Sequence, residues 1–206
     1  MKLSIYQLKP KFQQCLRPVL GGLARARVTP NQLTVLAMLL SMLYGGALAL
    51  RPSCQLLWAG LPLFLFARMA LNAIDGMLAT FTGLKTPLGA LLNEVGDQVS
   101  DLALSLPFVL AAGVKAPLVV LVALLALLAE FAGLAALLVG APRRFDGPMG
   151  KSDRAFAFGL LGLLVAGGAA PVWLNAILAL MAPLCVWTVF NRLGQALRHS
   201  GAPPTP

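Results

Sequence analysis

Apolar runs of close to bilayer length fill most of the sequence, and short stretches with Pro, Gly and charged residues separate them. Hydrophobic residues make up 59% of the chain and charged residues 11%, and the mean hydropathy is +0.83. A helix needs about 20 apolar residues to cross the hydrocarbon core of a bilayer. This composition excludes a soluble globular domain and predicts a single all-α integral membrane domain over residues 1–206.

Six transmembrane helices are predicted from the Pro, Gly and charged residues that end the apolar runs. They cover about 32–50, 56–79, 87–111, 116–140, 154–170 and 172–192. The tail 200–206 is rich in proline and is predicted to be disordered. The first 30 residues lack an uninterrupted apolar core before a cleavage site, so no secretory signal peptide is expected.

The segment 1–30 combines an apolar stripe with positive charge. Its apolar residues recur at three- and four-residue steps. They are Ile5, Leu8, Phe12, Cys15, Leu16, Val19, Leu20 and Leu23. This pattern predicts an interfacial amphipathic helix that lies in the headgroup plane and is interrupted at Pro10 and Pro18. The alternative is a solvated basic tail, which leaves the apolar stripe unexplained.

The Lys and Arg residues outside the predicted helices are distributed unevenly. Six helices place both termini on one side of the membrane, where thirteen basic residues fall, against Arg51 and Lys115 on the other side. By the positive-inside rule, the thirteen face the cytoplasm. Orientation and anionic lipid therefore explain the net charge of +9 better than a nucleic-acid partner does.

The three cysteines, Cys15, Cys54 and Cys185, are odd in number and have no ligand-like spacing. They predict neither a disulfide framework nor a zinc site.

Four of the seven acidic residues lie between positions 72 and 101. A charged side chain at bilayer depth costs about 2.5–3.5 kcal/mol on insertion scales, so this clustering needs a compensating partner. Helical spacing places the polar residues on one stripe of the second predicted helix and one stripe of the third. The first stripe holds Arg68, Asn72, Asp75 and Ala79, and the second holds Gly89, Asn93, Glu94, Asp97 and Asp101. A short connection makes the two helices antiparallel neighbours, so the stripes are expected to face each other.

Such a pocket of oxygen atoms suits a hard divalent cation, because Mg²⁺ prefers carboxylate, amide and water oxygens and often shares them with substrate phosphates. Gly76 and Gly89 would let a ligand or a neighbouring helix approach the backbone closely. The alternative is a polar network that only specifies helix packing, although Arg68 is the one basic residue on these two stripes.

The spacing resembles the signature of the CDP-alcohol phosphatidyltransferase family, D-x2-D-G-x2-A-R-x8-G-x3-D-x3-D. The corresponding residues here are Asn72, Asp75, Gly76, Ala79, Thr80, Gly89, Asn93 and Asp97. Five of the eight positions match, and every spacing is kept. The resemblance extends to the TPNQLT segment at 29–34 and the GKSDR segment at 150–154. It implies a homodimeric, multi-pass protein of the bacterial inner membrane with both termini in the cytoplasm.

The resemblance also implies the reaction. An acceptor hydroxyl attacks the phosphatidyl phosphorus of CDP-diacylglycerol, and CMP leaves. The last aspartate of the motif, Asp97, is the implied general base, with Asp101 as the alternative. Mg²⁺ or Mn²⁺ is the implied cofactor, and its ligands would come from Asn72, Asp75, Asn93, Glu94, Asp97 and Asp101. The implied nucleotide-binding residues are Gly76, Ala79, Thr80 and Gly89.

Three motif positions depart from the family. Asn72 and Asn93 stand where carboxylates are expected, and Thr80 replaces an arginine. The loss of two negative charges should weaken a two-metal site. Glu94 and Asp101 are candidate replacements, and whether the site holds one cation or two stays open.

The segment 143–154 is basic and is the second candidate for function. Its residues Arg143, Arg144, Lys151 and Arg154 are candidates to bind an anionic acceptor or a lipid phosphate. The alternative is that they only fix topology. The segment is not a Walker A loop, because Phe145 stands where that motif requires glycine. Glu130, in the fourth predicted helix, is either a buried structural contact or a proton-accessible group.

These patterns leave three classes of function. A metal-dependent phosphatidyltransferase of phospholipid biosynthesis fits best. A catalytically silent relative that binds CDP-lipid is the first alternative. A small-solute transporter is the second, although its aqueous path would have to cross both halves of the membrane, whereas the acids concentrate in one half.

Overall fold

Helices form all the regular structure in the described part of the chain. The computed structural model describes residues 9–199, with side chains from residue 16 onward, so the predicted tail at 200–206 and the first eight residues lie outside it. The α-helices are α1 (Lys9–Arg25), α2 (Pro30–Leu50), α3 (Gln55–Phe81), α4 (Pro87–Ser105), α5 (Ala116–Ala135), α6 (Lys151–Ala166) and α7 (Pro171–His199). Short 3₁₀ segments, Leu106–Leu110 and Ala136–Val139, extend α4 and α5.

The two helices α2 and α4 begin in the same way, with a threonine cap followed by proline. The Thr29 hydroxyl accepts from the Gln32 amide while the Gln32 side chain accepts from the Thr29 amide, which completes a capping box. The Thr86 hydroxyl accepts from the amide of Gly89 at 3.0 Å. These contacts satisfy amides that lack an intrahelical partner.

A helix lies at each of the six predicted positions, but several ends differ. The α-helical part of α4 stops at Ser105, because Pro107 has no amide hydrogen for the next helical bond. Helix α6 begins at Lys151, three residues earlier than predicted, where Asp153 accepts from the Gly150 amide at 3.0 Å. Helix α7 continues to His199.

Helix α1 corrects one prediction. An interruption at Pro10 and Pro18 was expected, yet the helix runs unbroken from Lys9 to Arg25. Pro10 lies in the first turn, where an amide hydrogen has no intrahelical acceptor. Pro18 lies inside the helix and is tolerated there. The headgroup-plane position of this segment stays a prediction.

Four of the helical segments are long and apolar enough to cross a membrane: Pro30–Leu50, Gln55–Phe81, Ala116–Val139 and Pro171–His199. Helix α6 has only 16 residues, and α4 carries three of the clustered acids. Length and composition therefore support a membrane protein with four candidate spans, and they do not confirm the six that were predicted.

The packing of the bundle separates an apolar half from a polar half. Helix α2 packs on α3 and α4, α3 on α6, α5 on α7, and α1 on α3. The largest buried apolar cluster includes Trp58, Phe108 and Leu161 and lies mostly in the half away from the 82–86 connection, although it reaches Met149 just before α6. A Cβ at Gly45 would lie 2.0 Å from the Ala103 carbonyl oxygen, so glycine allows α2 and α4 to touch. Polar side chains collect in the opposite half.

Candidate active site

The predicted stripes on α3 and α4 face each other. The Asn72 side-chain amide donates to Asp97 Oδ1 at 2.6 Å, and Arg68 Nη1 donates to Asp101 Oδ1 at 2.6 Å. Each contact joins residues more than twenty positions apart. The expectation that the two stripes meet is therefore confirmed.

Four residues at one end of this interface, Asn72, Asp75, Asp97 and Lys151, form what we call the outer cluster. We count Asn93 with them because it precedes Asp97 by one turn on the same stripe of α4. The Lys151 ammonium forms an ion pair with Asp97 Oδ2. On the other side of the cluster, Thr34 donates from its hydroxyl to Asp75 Oδ2 at 2.7 Å. The side chains of Asp97 and Lys151 keep 18% and 27% of their surface exposed, whereas Asp75 is buried, so the cluster is accessible from the side of Asp97 and Lys151.

A second group, the inner cluster, is built around the buried side chains of Arg68, Arg154 and Arg192. It consists of Arg68, Asp101, Glu130, Arg154 and Arg192. The Arg154 guanidinium bridges Asp101 Oδ2 at 3.2 Å and Glu130 Oε1 at 3.0 Å. Arg192 Nη1 lies 3.3 Å from Glu130 Oε2. Each carboxylate oxygen of Asp101 and Glu130 therefore faces a guanidinium group, and burial without such partners would be strongly unfavourable. Glu130, whose role the sequence left open, is a buried structural contact.

The loop before α6 carries two arginines that form ion pairs. Arg143 forms ion pairs with Glu94 and, at 3.5 Å, with Glu130. Arg144 pairs with Asp146 at 2.8 Å. Of the four basic candidates, Lys151 is the one for which an ion pair with the outer cluster is observed, whereas Arg154 is buried in the inner cluster. The assignments of Glu94 to a metal ion and of Arg154 to phosphate stay predictions, and both groups have protein partners here.

The glycines of the motif have different surroundings. A Cβ at Gly76 would meet no atom within 4 Å, so packing alone does not require glycine at this exposed position. A Cβ at Gly89 would lie 2.7 Å from Asn31 Oδ1, which gives that glycine a packing role between α4 and α2. Ala79 is half-buried, and the exposed Thr80 donates its hydroxyl to the Gly76 carbonyl at 3.0 Å. An open backbone surface thus remains at Gly76, beside Asp75.

Thr34, which contacts the outer cluster, and Arg192, which belongs to the inner one, were not among the sequence candidates. Thr34 ends the TPNQLT segment, and its position one turn inside α2 could have identified it from the sequence. Nothing in the sequence distinguished Arg192, because an arginine at the end of the last apolar run is also typical of a residue that only fixes topology. Its contact with α5 joins residues more than sixty positions apart.

The oxygen donors of the outer cluster fit one divalent cation. Asp75 and Asp97 supply carboxylates, and Asn72 and Asn93 carry amide oxygens, which are the ligand types that Mg²⁺ and Mn²⁺ take. Within residues 9–199, no group of three or more His, Cys, Asp or Glu side chains has an arrangement that could hold a metal ion. Two carboxylates are a weak ligand set for two divalent ions.

Comparisons with known proteins point to one family. A sequence profile described as CDP-alcohol phosphatidyltransferase matches residues 27–190. Inner membrane protein YnbA of Escherichia coli (strain K12) is 44% identical over 201 residues, which cover 96% of this chain and 98% of that protein. Phosphatidylinositol phosphate synthase of Corynebacterium glutamicum is 31% identical over 199 residues, covering 94% and 89%.

Two solved structures share the fold. Both are of the phosphatidylinositol phosphate synthase of Mycobacterium tuberculosis, one with CDP-DAG bound and one in complex with manganese and citrate. The first has a TM-score of 0.71 at 20% identity and covers 92% of this chain and 98% of that one. The second has a TM-score of 0.71 at 19% identity and covers 91% and 92%.

Proposed function

We propose that this chain, which belongs to the CDP-alcohol phosphatidyltransferase family, transfers a phosphatidyl group from CDP-diacylglycerol to an alcohol and releases CMP. The observation that carries the proposal is the outer cluster. It places two carboxylates, two amides and an ammonium group at an accessible end of the α3–α4 interface. Its residues occupy the positions and spacing of the family motif.

In this reaction the acceptor hydroxyl oxygen forms a bond to the phosphatidyl phosphorus. The bond from that phosphorus to the CMP oxygen breaks, and CMP leaves with the electron pair. The hydroxyl proton passes to the carboxylate of Asp97, which acts as general base. Asp97 suits this role better than Asp101, because both oxygens of Asp101 lie within 3.2 Å of guanidinium groups. The guanidinium of Arg68 is 3.5 Å from Asp97 Oδ1, and the partner of Asp97 Oδ2 is the ammonium group of Lys151.

The nucleotide diphosphate is proposed to lie against Gly76, Ala79 and Thr80. The open surface at Gly76 supports this placement, since a phosphate can approach the backbone where no side chain intervenes. When bound, Mg²⁺ or Mn²⁺ would neutralise the diphosphate and stabilise the leaving phosphate. The residues that would hold it are Asn72, Asp75, Asn93 and Asp97, while Glu94 and Asp101 remain engaged with arginines.

The acceptor is proposed to be an alcohol that itself carries a phosphate. The similar protein from Corynebacterium glutamicum is named for a phosphatidylinositol phosphate product. In this chain Arg143 contacts Glu94, one turn of α4 from Asp97, and Arg144 follows it in the loop. Guanidinium groups bind phosphate oxygens in bidentate geometry.

The membrane arrangement is proposed to have six spans, in which α4 and α6 join the four long apolar helices, with α1 in the headgroup plane. Lys85, Arg143, Arg144 and Lys151 lie at the connections beside the site, which places this end in the cytoplasm by the positive-inside rule. The similarity to an inner membrane protein supports that location. A homodimer is proposed from the family resemblance alone.

The test is CMP release from CDP-diacylglycerol by the purified protein in nanodiscs with Mg²⁺ or Mn²⁺. The acceptor panel contains inositol phosphate, glycerol phosphate, free inositol and serine. We expect release that depends on a phosphorylated acceptor and is lost in Asp75→Asn. The control variant Lys85→Met changes an exposed basic residue at the same end of the bundle and should keep full activity.

Two other outcomes would not support the transferase. Binding of CDP-diacylglycerol without CMP release from any acceptor would indicate a silent relative, which the departures at Asn72, Thr80 and Asn93 make the second candidate. If the protein neither bound CDP-diacylglycerol nor released CMP, the proposal would be contradicted. A transporter is disfavoured because the apolar cluster around Trp58 and Phe108 fills the half opposite the charged groups.

A further inference from the structure

The charges of the two clusters balance among the described residues. The two clusters hold four carboxylates and four cationic groups. Three of the carboxylates form ion pairs with these groups, including a pair of Asp97 with Arg68 at 3.5 Å, and the fourth, Asp75, accepts from the Thr34 hydroxyl. The carboxylates are those of Asp75, Asp97, Asp101 and Glu130, and the cationic groups are those of Arg68, Lys151, Arg154 and Arg192. The neighbouring pairs Arg143–Glu94 and Arg144–Asp146 are neutral by themselves. The side chains of the two clusters therefore carry no net charge before any ligand enters.

This balance limits how many cations the site can take. The diphosphate of CDP-diacylglycerol is a diester and carries one negative charge on each phosphate at neutral pH. One divalent cation bound with this substrate restores neutrality. A second would leave an excess of two positive charges beside buried guanidinium groups, where Coulomb repulsion is poorly screened.

The ammonium group of Lys151 is placed where it can substitute for that second cation. Its ammonium group lies against Asp97 Oδ2, on the carboxylate expected to approach the reacting phosphate. It is the first residue of α6, where the helix amino terminus adds a partial positive charge. Asn72 and Asn93, in turn, carry no charge that would attract a second metal ion.

We propose that the site binds a single divalent cation and that the Lys151 ammonium supplies the other positive charge for the substrate diphosphate. The proposal rests on the proposed function, since it concerns the binding of the same CDP-lipid. Asn72 and Asn93, which stand where the family motif has aspartate, are then what a site for one metal ion requires. They do not imply a loss of function.

The experiment counts bound Mn²⁺ by electron paramagnetic resonance. The full chain in nanodiscs containing CDP-diacylglycerol is titrated with Mn²⁺, and empty nanodiscs of the same lipid composition give the background. We expect one Mn²⁺ per chain. The triple variant Asn72→Asp, Asn93→Asp, Lys151→Met should bind two, because it restores two carboxylates and removes the ammonium group.

Affinity for CDP-diacylglycerol gives a second readout. Lys151→Met should weaken binding about 10-fold, Lys151→Arg should recover most of that loss, and Lys85→Met should match wild type. Two Mn²⁺ per wild-type chain, no Mn²⁺ at all, or wild-type affinity in Lys151→Met would each overturn the proposal. CMP release is recorded on the same samples. Its absence beside one bound Mn²⁺ would contradict the transferase and leave the single-cation site standing.

Discussion

The inner and outer clusters use the same kinds of residue on the same helices, yet their carboxylates are partnered differently. In the inner cluster, Asp101 and Glu130 meet guanidinium groups at every oxygen, and Arg154 and Arg192 are almost fully buried. In the outer cluster, Asp75 meets a hydroxyl, while Asp97 meets an amide, an ammonium group and, at 3.5 Å, the Arg68 guanidinium. A carboxylate saturated by arginines holds helices together, whereas one with neutral or mobile partners stays available for a ligand or a proton.

The largest effect on stability is expected for Glu130→Leu. This change leaves Arg154 and Arg192 buried without their shared carboxylate, which costs about 3–5 kcal/mol when one partner of a buried pair is removed. The free energy of unfolding in mixed detergent micelles measures it. The control Asp146→Asn breaks a more exposed pair with Arg144 and should cost less than about 1 kcal/mol. Equal losses in both variants would remove the distinction between buried and exposed pairs.

A smaller effect, on activity, is expected for Thr34→Val. The variant keeps the shape of the side chain but removes the hydroxyl that donates to Asp75. Hydrogen bonds to charged groups contribute about 1.5–3 kcal/mol, so acceptor-dependent CMP release should fall about 10-fold or more. Ser41→Ala serves as the control, because the Ser41 hydroxyl bonds only to the Ala37 carbonyl within the same helix. If the two variants had the same activity, Asp75 would not depend on Thr34.

The smallest change is Gly76→Ala, which adds a methyl group where no protein atom lies within 4 Å. Replacing glycine by alanine inside a helix favours folding by about 0.5–1 kcal/mol, so stability should hold or rise. Binding of CDP-diacylglycerol should nevertheless weaken, since the methyl group stands where the diphosphate is proposed to approach. The matched control is Gly194→Ala in α7, which is also free of neighbours and should leave binding unchanged. Unchanged binding in Gly76→Ala would place the nucleotide elsewhere.

The positions of the helices and the contact between the α3 and α4 stripes could be predicted from the sequence, because helical spacing determines which residues share a face. It could not separate Asp101 from Asp97. The two residues occupy the same stripe, and the difference between them comes from Arg154 on α6, more than fifty positions away. Glu130 had no predicted partner for the same reason. Periodicity assigns a residue to a face, whereas its ion-pair partners depend on how distant helices pack.

The most direct test of the division into two clusters compares Asp97→Asn with Asp101→Asn. Both variants remove one charge and keep the size of the side chain, and each is measured for acceptor-dependent CMP release and for stability in the same nanodiscs. We expect Asp97→Asn to lose CMP release by about 10²–10⁴-fold with little change in unfolding temperature. Asp101→Asn should unfold at a clearly lower temperature and keep most of the release per folded molecule. The reverse pattern, with release lost in Asp101→Asn and retained in Asp97→Asn, would contradict the assignment of the reaction to the outer cluster.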